Sequence, residues 1–136
     1  MYNDKPYTFD SFCWHYDIVE NLPANSIVLS SNDNSDYQSV TFSRNNSEVW
    51  GVQYHPEFNS KWISGLISQR KSILLEENIF SSEHDCNIMY NYLSDLEKYD
   101  SLRKDLEISD TLIDDKIRYR ELINWLTYLK GNFSSI

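Results

Sequence analysis

The sequence predicts an α/β protein, because the pattern of its apolar residues changes near residue 60. Before that position, short runs rich in β-branched and aromatic residues alternate with clusters of Asn, Asp, Ser and Pro. After it, apolar residues recur at intervals of three and four within charged segments, which is the spacing of amphipathic helices. A chain of 136 residues is long enough for one domain with its own core. We therefore expect one domain, β-rich over residues 1–59 and helical over residues 60–136.

Short apolar segments in the first part are candidate strands. Turn-forming clusters separate them, and Asn32–Asp36 and Arg44–Ser47 have the composition of hairpin connections. The last segment is the most apolar, so we expect it to be more buried than the alternating segment before it. The four candidate strands are Phe12–His15, Ser26–Ser31, Tyr37–Ser43 and Val49–Tyr54.

Two amphipathic helices are predicted after the strands. The first begins at Ser60, and the second follows Ser82, a good N-cap residue, and runs over Glu83–Tyr99. The apolar stripe of the first helix consists of Trp62, Ile63, Leu66, Ile67, Ile73 and Leu74. We expect this stripe, including the tryptophan, to lie in the core.

A third helix is predicted over Asp114–Lys130. It begins with acidic residues and ends with a basic residue followed by Gly131, which matches the helix dipole and the usual C-cap. For the charged residues 99–110 before this helix, the sequence does not clearly predict a helix or a strand. The side chains expected to pack inward are Ile117, Leu122, Trp125, Leu126 and Leu129.

Charge and composition exclude several classes of protein. A formal net charge of −9 and a pI near 4.6 argue against binding to nucleic acid or to anionic membranes, which require clustered Lys and Arg. No apolar run approaches the roughly 18 residues of a membrane span. Two cysteines cannot form a disulfide scaffold, and the first twelve residues do not resemble a signal peptide. We expect a cytoplasmic protein without a membrane or nucleic-acid partner.

A histidine and a glutamate follow the last apolar strand. His55 stands at the expected strand end, Pro56 stops the strand, and Glu57 is two residues further on. A carboxylate at this distance can hydrogen-bond one ring nitrogen of the histidine, fix its tautomer and leave the other nitrogen for proton transfer. On this observation alone, a surface histidine beside a surface glutamate remains the commoner interpretation.

Two sequence segments resemble class I glutamine amidotransferases. Residues Gly51–Glu57 read Gly-Val-Gln-Tyr-His-Pro-Glu, and in that family Gly-Val-Gln-Phe-His-Pro-Glu is common around the catalytic histidine and glutamate. Residues Trp14–Asp17, followed by Leu22-Pro23, resemble the family's aromatic-His-x-Asp segment. Gln38 and the helical residues 118–126 fit less specifically. The resemblance implies the C-terminal portion of a flavodoxin-like fold, with strands, a hairpin, helices and an incomplete sheet whose exposed edge favours association.

The resemblance also implies a reaction, the hydrolysis of the glutamine side-chain amide by a cysteine thiolate. His55 would act as general base and acid, and Glu57 would orient it. The backbone around Tyr16 and Asp17 resembles the segment that contacts the amino-acid end of glutamine. No cofactor or metal is implied. The implied partners are glutamine and either a missing N-terminal half or a synthetase.

The nucleophile of the family is not found in the sequence. The family places it in a Gly-x-Cys-x-Gly elbow, whereas Gly51, Gly65 and Gly131 flank no cysteine. The elbow would precede the segment where this chain begins, so we expect Met1 to lie inside the domain. Cys13 and Cys86 are poor substitutes, because a strand cysteine lacks an activating helix N-terminus and a helical cysteine usually packs.

Three alternatives remain open at this point. The chain is an amidotransferase module that is inactive until joined to the cysteine-bearing part, with γ-glutamyl amide hydrolysis as a related activity. Alternatively it is a non-catalytic remnant or interaction module of the same fold, or an unrelated acidic α/β domain. A zinc site formed by Cys13, His15, His84 and Cys86 is disfavoured, because ligand pairs separated by one residue are not the usual zinc knuckle.

Overall fold

A computed structural model describes the backbone of residues 1–133 and the side chains of residues 1–131. It confirms an α/β chain with strands first and helices after them. The strands are β1 (Ile27–Asn32), β2 (Ser35–Arg44) and β3 (Ser47–Val52). The helices are α1 (Ser60–Glu76), α2 (Glu83–Ser94), α3 (Asp110–Ile113), α4 (Asp115–Arg118) and α5 (Arg120–Phe133), with a 3₁₀ turn at Asp100–Leu102.

The three strands form an antiparallel sheet in the order β1-β2-β3, so β1 and β3 are its edges in the described part of the chain. Both predicted hairpin connections are present. At the β2–β3 turn, Asn45 and Asn46 adopt φ values of 51° and 60°, which asparagine tolerates better than most residues. At the β1–β2 turn, Asn32 Oδ1 accepts hydrogen bonds from the backbone N–H groups of Asn34 and Ser35.

Two expectations about the strands are wrong. Phe12–His15 is not a strand, because a single backbone bond joins it to another segment among residues 1–133, the one from His55 N–H to Phe12 O at 2.7 Å. Nor is β3 the more buried strand, since Val52 is 37% exposed whereas Gln38 and Ser39 on β2 are 5% and 1% exposed. An edge strand covered by few helical side chains stays half-exposed.

The hydrophobic core lies between α1 and α2. The predicted N-cap of the second helix is confirmed, since Ser82 accepts from Asp85 N–H at 3.1 Å. The first helix is capped by Asn59, which accepts from Trp62 N–H at 2.8 Å. The buried core residues are Phe12, Ile63, Ile67, Leu74, Cys86, Tyr92, Leu93 and Leu112. Burying each aliphatic side chain contributes roughly 1.5–3 kcal/mol.

The helix boundaries differ from the prediction in two places. The second helix ends at Ser94 rather than Tyr99, because Asp95 leaves the helical conformation and its carboxylate accepts from Lys98 N–H at 3.1 Å. The predicted helix from Asp114 is divided at Tyr119 into α4 and α5. Its expected C-cap is also wrong, since α5 continues to Phe133.

The expected inward stripe of the last helix is wrong at three of its five residues, whereas Ile117 and Leu129 are half-buried. Leu122, Trp125 and Leu126 are 37%, 45% and 51% exposed, whereas Glu121 is 3% exposed. Glu121 faces inward because it pairs with buried polar groups, and this rotation of α5 turns the apolar stripe outward. Trp62 on α1 is likewise 59% exposed rather than in the core. None of the described helices is long and apolar enough to cross a membrane.

Candidate active site

The histidine and the glutamate singled out by the sequence form a pair just after β3. His55 Nδ1 lies 2.8 Å from Glu57 Oε1, and the two side chains are 30% and 54% exposed. Pro56 between them is fully buried and fixes the turn. An imidazole whose Nδ1 contacts a carboxylate keeps Nε2 for exchange of a proton with a substrate.

Neighbouring groups hold the imidazole in place. The ring of His55 stacks on Phe58 with centroids 4.0 Å apart and planes at 3°. Its backbone N–H donates to Phe12 O at 2.7 Å, and Gln53 N–H donates to Gln38 O at 2.9 Å. These bonds extend the pairing of the chain past the end of β3, so His55 has a defined position although it follows a regular strand.

The segment predicted to contact substrate lies beside the same strand end. The carbonyl oxygen of Asp17 is 2.9 Å from His15 Nδ1 and accepts from Gln53 Nε2 at 3.3 Å. Tyr16 is 78% exposed. The structure therefore brings the Tyr16–Asp17 segment next to a residue two positions before His55, and the expected role of that segment stays a prediction.

The two cysteines occupy different environments. Cys13 is exposed, lies outside any helix or strand and has a pKa raised by partial burial of its sulfur. Cys86 is 1% exposed in the core between α1 and α2, and burial raises the pKa of its thiol too. Cys13 has no helix N-terminus to lower its pKa, and at Cys86, in the first turn of α2, burial outweighs the lowering effect of Lys71. The described residues contain no group of three or more His, Cys, Asp or Glu side chains that could hold a metal ion.

Sequence reasoning missed an apolar cleft beside the candidate site. The cleft has a volume of about 600 Å³ and separates residues 12–16 from α1 and α2. Its wall includes Cys13, His15 and Ile67. No sequence signal marks it, because its walls come from segments that are distant along the chain.

Sequence reasoning also missed a buried polar cluster behind His55. Tyr54, which immediately precedes His55, donates to Glu121 of α5, and Lys5 pairs with the same carboxylate. Lys5 and Glu121 are 116 positions apart, so periodicity and motifs could not connect them.

Comparisons with known proteins agree on one protein family. A model of the family "Glutamine amidotransferase class-I" matches residues 1–71, which include His55, Glu57 and the Tyr16–Asp17 segment. A γ-glutamyl-L-1-hydroxyisopropylamide hydrolase from a Pseudomonas species is 28% identical over 135 residues, covering 95% of this chain and 44% of that protein.

Two further relatives are GMP synthases (glutamine-hydrolyzing) from Thermosipho. The protein from T. melanesiensis is 33% identical over 75 residues and that from T. africanus is 30% identical over 74 residues. Each alignment covers 51% of this chain and 14% of the synthase. The chain thus spans less than half the length of these curated relatives. No solved structure matches it.

Proposed function

The chain belongs to the class I glutamine amidotransferase family, and we propose that it supplies the histidine and carboxylate of a centre that hydrolyses γ-glutamyl amides. Glutamine is the simplest such amide. The observation that carries the proposal is the 2.8 Å contact between His55 Nδ1 and Glu57 Oε1. It occurs at a strand end within the residues that match the family model.

In the proposed reaction, a cysteine thiolate attacks the γ-carbonyl carbon of the substrate. The carbon–nitrogen bond breaks, and the amine leaves with a proton from His55 Nε2, which gives a thioester. His55 then takes a proton from water as the water attacks the thioester, the carbon–sulfur bond breaks, and glutamate and the cysteine thiolate are released. Glu57 holds the Nδ1 proton and stabilises the imidazolium that is present before the first step and after the second. Asp17 and Tyr16 would contact the amino-acid end of the substrate.

The nucleophile in this proposal comes from polypeptide that is not among the 136 residues. Cys13 fits poorly, because its thiol has a raised pKa and lies outside the strand-to-helix turn that aims backbone amides at an oxyanion. We therefore treat residues 1–136, with their β-rich part up to residue 59 and their helical part from residue 60, as part of an amidotransferase domain. Its partner would be the cysteine-bearing part, alone or joined to a synthetase.

The extent of similarity to the known proteins favours γ-glutamyl alkylamides as a second candidate class of substrate. Similarity to the γ-glutamyl-alkylamide hydrolase covers 95% of the chain, whereas similarity to the GMP synthases covers 51%. Hydrolysis of γ-glutamyl alkylamides, in which the amine is released to solvent, would need no ammonia acceptor. Transfer of ammonia would need a synthetase partner.

Glutamate release from glutamine and from a γ-glutamyl alkylamide tests the proposal and separates the two substrates. We expect activity when the chain is mixed with or fused to a segment bearing the Gly-x-Cys-x-Gly element. His55→Ala should lower that activity by roughly 10²–10⁴-fold, the usual contribution of a general acid–base group. His84→Ala is the matched control, since this exposed histidine of α2 should be replaceable without loss.

Three outcomes would contradict the proposal. Equal activity of the parent and His55→Ala would remove His55 from the mechanism. Activity of the chain alone would place a nucleophile within it and direct attention to Cys13. Absence of activity in the folded, joined protein would favour a non-catalytic remnant or interaction module of the same fold.

A further inference from the structure

A buried polar cluster joins the strand end that carries His55 to helix α5 and to the amino-terminal segment. Tyr54 is 4% exposed, and its hydroxyl donates to Glu121 Oε1 at 2.5 Å. The same carboxylate oxygen pairs with Lys5 Nζ. Tyr54 Oη also lies 2.7 Å from Tyr2 Oη. We call Tyr2, Lys5, Tyr54 and Glu121 the Tyr54 cluster.

The members of the Tyr54 cluster are buried deeply enough to depend on one another. The side chains of Lys5 and Glu121 are 1% and 3% exposed. Charges so far from water are stable only when paired and hydrogen-bonded, and removing one partner is strongly destabilising. Burial, together with the hydrogen bond to Glu121, raises the pKa of Tyr54, so its hydroxyl keeps the proton that it donates.

The amino-terminal segment and the sheet both reach into the cluster. Lys5 Nζ lies 4.1 Å from the ring centroid of Phe9, and that ring packs edge-on against Tyr54 with centroids 5.7 Å apart. Tyr2 Oη lies 2.6 Å from Ser39 Oγ on β2. The side chain of Tyr54 therefore contacts α5 and the first residues of the chain, and Tyr2 links the cluster to the sheet.

The stretch around His55 lies beyond the regular pairing of β3, which ends at Val52. There, Gln53 N–H and His55 N–H donate to backbone oxygens, and His55 O accepts from Phe58 N–H at 3.3 Å. Tyr54, between Gln53 and His55, makes contact through its side chain. The peptide that joins Tyr54 to His55 donates its N–H to Phe12 O, and the buried Tyr54 hydroxyl on one side and the stack of His55 on Phe58 on the other restrain the two side chains that flank it.

We propose that Tyr54 and Glu121 are positioning residues for His55. Their hydrogen bond fixes the chain from which the imidazole projects and so keeps Nδ1 within reach of Glu57. The inference rests on the proposed role of His55 in amide hydrolysis. It assigns α5, which carries no candidate catalytic group, a direct part in the geometry of the site.

The test compares Tyr54→Phe and Glu121→Gln with the parent chain. The ¹⁵N chemical shifts of the His55 ring report its tautomer and its contact with Glu57 in the chain itself, with no need for activity. We expect both variants to shift these resonances toward a mixture of tautomers. In the joined, active protein, kcat should fall by on the order of tenfold or more, because small displacements of a reacting group are amplified in the rate. KM should change less than about twofold, since no substrate contact is removed.

Glu83→Gln is the matched control. It removes a carboxylate from an ion pair with Lys71 between α1 and α2, far along the chain from His55, and should leave the His55 resonances and kcat unchanged. If Glu121→Gln does not fold, the His55 resonances of Tyr54→Phe alone test the inference, because that variant keeps the aromatic ring and the ion pair between Lys5 and Glu121. Unchanged His55 shifts in a folded Tyr54→Phe chain would overturn the inference, even if its unfolding midpoint fell. Failure of the proposed function would appear separately, as full activity of His55→Ala.

Discussion

The contact between Glu57 and His55 underlies the proposed roles of the two imidazole nitrogens. Glu57 Oε1 lies 2.8 Å from Nδ1, and in the proposed reaction it holds the proton there, which leaves Nε2 for proton exchange with the substrate. Glu57→Gln keeps a hydrogen-bonding side chain of the same size but removes the negative charge. We expect it to lower kcat of the joined protein by about 10²-fold, because the imidazolium formed during the reaction loses its partner.

Steady-state kinetics with glutamine or a γ-glutamyl alkylamide would measure this effect. Glu48→Gln is a suitable control, since its carboxylate accepts from Ser43 on the exposed end of the same sheet. Equal losses in both variants would indicate a general effect of removing charge from this acidic chain. A parent-like rate for Glu57→Gln would show that the carboxylate does not orient His55.

The thiol of Cys13 provides a second prediction for a single residue. Partial burial raises its pKa, so at neutral pH nearly all of it is the unreactive thiol. We expect slow alkylation by iodoacetamide at pH 7, with a rate that rises as the pH increases past the ordinary cysteine value of about 8.5. Cys13→Ser should retain the activity of the joined protein. Rapid alkylation at pH 7, or loss of activity in Cys13→Ser, would reopen its candidacy as the nucleophile.

Part of the site could be predicted from the sequence because its parts are close along the chain. His55 and Glu57 are two positions apart after an apolar strand, and their contact in the structure is what that spacing allows. The Tyr54 cluster could not be predicted, because Lys5 and Glu121 meet only through the fold. A motif identifies residues that share a short segment, whereas pairing across the chain depends on how the elements pack.

Among the elements, the hairpins and the starts of the helices were predictable and the last helix was not. Asn45 and Asn46 favour the positive φ angles of the β2–β3 turn, and Asn59 and Ser82 cap α1 and α2 through their own side chains. These are local preferences. The rotation of α5 depends instead on a buried carboxylate, which outweighs its apolar periodicity.

Paired substitutions on α1 and α5 test this account of which helix faces are buried. Ile67 is 4% exposed in the core, and Ile67→Ala should lower the free energy of unfolding by roughly 2–5 kcal/mol. Trp125→Ala removes a larger side chain that is 45% exposed and should change it by less than about 1 kcal/mol. Urea denaturation of both variants measures the difference. A loss for Trp125→Ala as large as that for Ile67→Ala would show that the α5 stripe is covered.

At the scale of the whole molecule, the amino-terminal segment connects the sheet to the closing helix. Asn124 Nδ2 donates to Met1 O at 2.7 Å and to Asn3 O at 2.8 Å, close to the pairing of Lys5 with Glu121. The apolar core lies elsewhere, between α1 and α2. Besides the contact between the rings of Trp50 and Tyr128, α5 is therefore held by polar contacts, which respond to pH in a way that an apolar core does not.

Titration of the Tyr54 phenol makes the pH dependence of stability measurable at alkaline pH. Burial raises its pKa in the folded chain, whereas in the unfolded chain it titrates near its ordinary value of about 10. Above that pH the unfolded chain binds fewer protons than the folded one, so stability is complete below about pH 10 and falls as the pH rises further. Lys5 contributes in the opposite direction, since burial lowers its pKa. Tyr54→Phe retains Lys5, so comparison of the two chains isolates the phenol.

We expect the parent chain to lose stability more steeply than Tyr54→Phe above about pH 10, by up to roughly 1.4 kcal/mol per pH unit for one proton. Urea midpoints measured from about pH 8.5 to 11 would show this as two curves that converge. Tyr7→Phe is the control, because this fully exposed residue should leave the slope unchanged. Parallel curves for the parent and Tyr54→Phe would contradict this expectation. They would mean that the Tyr54 phenol becomes exposed to solvent before global unfolding, because the strand end bearing His55 opens independently of the helical core.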